Sequence, residues 1–76
     1  MTPERLQQLI EQIRGELSAL EMEKATLEND LAVALRAKDA DLTRSLQSLL
    51  NKQNVDIGHK KVELETLLKQ RQLNLF

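Results

Sequence analysis

Apolar residues recur along this chain in alternating steps of three and four, in two series separated by a polar break, and that rhythm leaves few folds open. Leu6, Ile13, Leu20, Leu27 and Ala34 stand seven apart, with Ile10, Leu17, Lys24 and Leu31 interleaved four residues after the first four of them. An α-helix collects such positions into one stripe, and a seam kept for more than four heptads is that of a coiled coil. The second series is Leu46, Leu49, Leu50, Ile57, Leu64, Leu67 and Leu68, in which Leu50, Ile57 and Leu64 hold the seven-residue register. Thr2 before Pro3 is a helix start: a threonine hydroxyl caps free N–H groups, and proline at the first helical position has no N–H to lose.

Between the two series, Arg36-Ala37-Lys38-Asp39-Ala40-Asp41-Leu42 is poor in apolar residues. Arg36 and Lys38 suit the last turn of one helix, and Asp39 or Asp41 can cap the next. No glycine marks a reversal, so two architectures compete: one continuous helix in a parallel dimer, or a hairpin. Folding the chain back brings Leu31 near Leu49 and Leu50, Leu17 near Leu64, and Ile10 near Leu68. It also sets Lys24 beside Asp56, in the polar stretch Gln53, Asn54, Asp56, and these interruptions at matching depth favour the hairpin. The expected fold is therefore all-α, an antiparallel two-helix hairpin over residues 1–70, with helices at about 3–37 and 41–70 and a turn at about 38–40. Leu9, Val33, Leu35, Leu42 and Leu49 do not all fit one seam, and homodimerisation into a four-helix bundle is the expected way to cover them. Gly15 and Gly58 fall inside the helices, where each costs about 1 kcal/mol relative to alanine.

Composition excludes several classes of function. Seventy-six residues make at most one small domain, which buries only about 60% of its unfolded surface. With no cysteine and a single histidine, His59, the chain offers neither a disulfide framework nor the ligands of a zinc site. His59 and Glu63, one turn apart, read as surface residues, and a hairpin has no pocket from which to exclude water, so neither catalysis nor a cofactor is expected. A net charge of −1 with the signs interspersed argues against direct nucleic-acid binding, and His59-Lys60-Lys61 is too short a basic spot to hold a duplex. The chain opens without a signal-peptide pattern and has no run of about 20 apolar residues, so a cytoplasmic protein off the membrane is expected.

The sequence finishes Lys69-Gln70-Arg71-Gln72-Leu73-Asn74-Leu75-Phe76, and Phe76 is the only aromatic residue. Arg71 and Asn74 take positions where apolar residues would continue the seam, so residues 71–76 are expected to form a flexible tail. Its apolar cluster, beyond the folded body, has the character of a contact site. Gln72-Leu73-Asn74-Leu75-Phe76 resembles the sliding-clamp-binding pentapeptide of bacterial replication and repair proteins: Gln-Leu, a small polar residue, then Leu-Phe. All five positions agree, and the four specified letters coincide by chance about once in 10⁵ trials. The resemblance implies that the tail lies extended in a hydrophobic groove of the clamp. Gln72 would hydrogen-bond, Leu73 would enter a shallow subsite, Asn74 would face outward, and Leu75 and Phe76 would fill the deep pocket. A free carboxylate on Phe76 would need water or a cation at the rim. The expected function is that of a small adaptor or regulator of DNA replication or repair, phage or mobile-element proteins being one source of such peptides. The rival expectation is a structural coiled-coil interaction or assembly protein.

Overall fold

The computed structural model describes residues 2–73. They form two helices of equal length, α1 (Pro3–Arg36) and α2 (Ala40–Leu73), packed side by side as an antiparallel hairpin. The molecule measures 57 × 15 × 14 Å, and its 17.1 Å radius of gyration exceeds the value of about 11 Å for a globular chain of this length. It is a rod. Both helix starts follow from capping chemistry: the Arg5 N–H donates to Thr2 Oγ1 at 3.2 Å with Pro3 at the first helical position. At the start of α2, Asp39 rather than Asp41 is the cap, its Oδ1 accepting from the Leu42 N–H at 3.1 Å.

The reversal takes only Ala37, Lys38 and Asp39. The Asp39 N–H donates to Ala34 O at 3.1 Å and the Lys38 N–H to Leu35 O at 3.1 Å, the paired bonds of a Schellman cap. That cap needs a residue in the left-handed region, and Lys38 fills the place with φ 56°. Glycine is the usual occupant, because a side chain in this conformation costs about 1–2 kcal/mol. The turn therefore forms without its common sequence signal, held by the caps and by the packing of the two helices. Lys38→Gly is expected to raise stability by about 0.5–1 kcal/mol, the relief of strain less glycine's extra chain entropy. Urea unfolding followed by circular dichroism reads the change; a fall in stability would contradict the strained-cap reading.

The core is the predicted seam. Leu6, Ile10, Ile13, Leu17 and Ala34 of α1 are buried against Leu46, Leu50 and Ile57 of α2. Leu20, Leu27, Leu31, Leu64, Leu67 and Leu68 are half-buried, as expected where two helices cover only one stripe of each other. Val33, Leu35, Leu42 and Leu49 stay exposed, and Leu9 is half-buried, so one hairpin leaves these side chains partly or largely uncovered. Gly15 and Gly58 face open space; neither serves a close approach of the two helices.

The register departs from the expected one by about a helical turn. Glu16 meets Lys60 and Glu23 meets Gln53, whereas the expected register pairs Leu17 with Leu64. Among the described residues no ion pair joins Lys24 and Asp56. Instead Gln53 crosses the seam, its Nε2 donating to Leu20 O at 3.1 Å and to Glu23 Oε2 at 2.9 Å. The reason is periodicity: Gln53 stands on the row of Leu46 and Leu67, which faces α1, whereas Asp56, three residues on, is turned outward and exposed.

Candidate functional site

The last tie between the helices at the open end is made by Arg71, whose Nη1 donates to Gln7 Oε1 at 3.2 Å. Arg71 occupies a seam position and is half-buried, so a polar residue closes the hairpin where the apolar pattern stops. Helix α2 continues past it to Leu73, three residues beyond the expected boundary near residue 70. Gln72 and Leu73 are therefore helical and exposed, Leu73 at 74%. Leu73 does not pack against the open end of the hairpin. Asn74, Leu75 and Phe76, the other three residues of the resemblance, lie outside the described residues.

The extended docking pose that the resemblance implies requires Gln72 and Leu73 to leave the last helical turn. Terminal turns fray at little cost, because their last carbonyls have no helical partner in any case. Nothing in the buried core is disturbed by that step, since Ile57 is the last buried residue of α2. Compared with known proteins, the chain matches no family model, no curated relative and no solved structure.

An open groove of about 410 Å³ runs between the helices near the turn, lined by the apolar Leu31, Leu35 and Leu50 and the polar Lys24, Glu28 and Asn54. No group of three potential metal ligands occurs among the described residues, and no helix there is long and apolar enough to cross a membrane. His59 is exposed, and its neighbour Glu63 pairs with Lys60 at 3.6 Å. The basic spot His59-Lys60-Lys61 is thus divided between the two sides of the rod: Lys60 reaches Glu16, and Lys61 reaches Glu21 at 3.9 Å.

Gln53 and Lys60 are the residues whose roles were not read from the sequence. Both lie on the row Leu46, Gln53, Lys60, Leu67, and that heptad spacing was the available signal. Lys60 has its ammonium held charged above the ordinary 10.5 by its hydrogen bond to Glu16. Glu16 is held below the ordinary carboxylate value of 4.5 by its bonds from Lys60 and then Gln12. A depressed carboxylate stabilises the fold above its unfolded pKa and loses that contribution as pH falls through the folded value. The raised lysine contributes below 10.5 and loses it as pH rises past the folded value. Melting midpoints are therefore expected to fall more steeply below pH 4.5 in the native chain than in Glu16→Gln, with the difference shrinking in high salt. Parallel curves for the two proteins would show that the pair contributes nothing.

Proposed function

We propose that this protein is a small adaptor or regulator that docks on the bacterial DNA sliding clamp through Gln72, Leu73, Asn74, Leu75 and Phe76, acting by binding rather than catalysis. The observation that carries the reading is the agreement of all five residues with the clamp-binding pentapeptide. It is supported by the position of Leu73, exposed beyond the Arg71–Gln7 tie, and by a core in which, among the described residues, none after Ile57 is buried. A short peptide must concentrate its affinity in a few buried apolar anchors and one satisfied polar group. Leu73, Leu75 and Phe76 are those anchors, and Gln72 is the polar group. The rod then serves as a stiff spacer that carries the peptide, self-associates, or receives a second protein.

Two outcomes follow from docking in the cell. Occupancy of the groove denies it to polymerases and inhibits replication, as suits a phage or mobile-element product, or it brings another factor to DNA in the cytoplasm. The test is capture of partners by the full chain and by a chain ending at Lys69. Loss of the clamp alone from the shortened chain supports the proposal. Retention of every partner identifies the body as the interaction surface and the protein as a structural coiled coil.

A further inference from the structure

The two long flanks of the rod differ in charge pattern, and only one of them is complementary to itself. Glu21 and Lys61 meet on the first flank at 3.9 Å, and the groove there is rimmed by Glu28, Gln47 and Asn54 with Leu35 at its end. Seven-residue spacing adds Arg14 to the row of Glu21, Glu28 and Leu35, and Leu68 to the row of Gln47, Asn54 and Lys61. Along the rod this flank therefore reads basic (Arg14 and Lys61), then a centre at Glu21 and Asn54, then acidic (Glu28 beside Gln47). Its two ends are apolar, with Leu68 at one and Leu35 at the other.

We propose that a second copy of this chain packs on this flank with the rods antiparallel, forming a four-helix bundle whose two-fold axis passes near Asn54 and near Glu21, where the meeting of the two Glu21 side chains is offset by Lys61 of each one's own chain. The antiparallel arrangement sets Arg14 of each copy against Glu28 of the other and brings the Leu35 end of one rod onto the Leu68 end of the second. A parallel arrangement sets Arg14 against Lys61 of the second copy, and like charges across an interface cost several kcal/mol. The opposite flank carries Glu16, Glu23, Asp30, Asp56 and Glu63 against Lys60. Antiparallel pairing there opposes Asp30 to Glu16, a like-charge contact that disfavours a second copy although Leu9 and Leu49 stand on the same rows.

The surface area agrees with this. The chain exposes 5745 Å², whereas a compact monomer of its mass exposes about 4,700 Å². The excess belongs to the elongated shape, 57 Å long, and leaves room on a flank for the roughly 800 Å² that each partner of a stable complex covers. Leu35, 58% exposed, is the apolar side chain on this flank with most to gain. A consequence that rests on the clamp reading is that the two Leu73 ends project from opposite ends of the bundle and so serve two well-separated sites. The dimer itself does not depend on that reading.

Sedimentation velocity of the full chain tests the proposal, with far-UV circular dichroism to confirm that each variant remains helical. The native chain is expected at twice its 8.7 kDa mass. Arg14→Glu and Glu28→Arg are each expected to weaken the dimer more than about ten-fold, and the double variant to restore it. Asp30→Arg on the other flank is expected to leave the dimer intact. A single-chain mass for the helical native protein overturns the proposal. So does a dimer that is indifferent to the single reversals or not restored by the double one.

Discussion

Phe76→Ala is expected to abolish detectable docking on a purified bacterial sliding clamp while leaving the helical content and melting midpoint of the hairpin unchanged. A pentapeptide of this kind binds in the micromolar range, about −8 kcal/mol. Removing an aromatic anchor from a desolvated pocket costs about 2–4 kcal/mol, a loss that carries the dissociation constant toward the millimolar range. Gln72→Ala is expected to weaken binding as well, through the unpaired polar group it leaves on the clamp. Calorimetric or fluorescence titration of each full-length variant reads the effect. Undiminished affinity in Phe76→Ala would remove the anchor role, and a lowered melting midpoint would show that the residue belongs to the fold instead.

Ile10→Ala is expected to unfold much of the population at room temperature. Ile10 is 0% exposed, and truncating a buried isoleucine to alanine costs about 2–5 kcal/mol in lost transfer energy and cavity. A chain under about 80 residues with a single core rarely has more than 3–5 kcal/mol in reserve. Leu49→Ala makes the contrast, since Leu49 is 52% exposed and such surface changes stay within about 0.5 kcal/mol. Urea unfolding of the two variants side by side is the measurement. A smaller loss for Ile10→Ala than for Leu49→Ala would mean that the seam has been placed on the wrong face of α1.

Much of this protein was legible in its residues because coiled-coil packing is periodic and local. The Leu6, Ile13 and Leu50, Ile57 heptads name the stripes that face each other, Thr2-Pro3 names the first cap, and the polar run at 36–42 names the break. The candidate docking peptide was legible for another reason: the five residues that carry the resemblance are contiguous in sequence, so no fold has to assemble them. Cross-helix detail was harder. The expected Lys24–Asp56 partnership failed, and Gln53 and Lys60, read only as parts of a polar stretch and a basic spot, were given no partners, because polar residues on an apolar row look like interruptions until a partner is seen opposite them.

The sequence by itself determined the two helices, the stripes they bury and the absence of a thick core, since all three depend on spacing and length within one stretch of chain. Only the tertiary structure decided the relative sliding of the helices, because a leucine seam shifted by one turn still meets leucine. That choice falls to polar side chains that reach across to the other helix, Gln53 to Leu20 and Glu23, Lys60 to Glu16, and Arg71 to Gln7. It fell also to a three-residue turn in which Lys38 adopts glycine's conformation, held there by hydrogen bonds and helix packing that no local pattern announces.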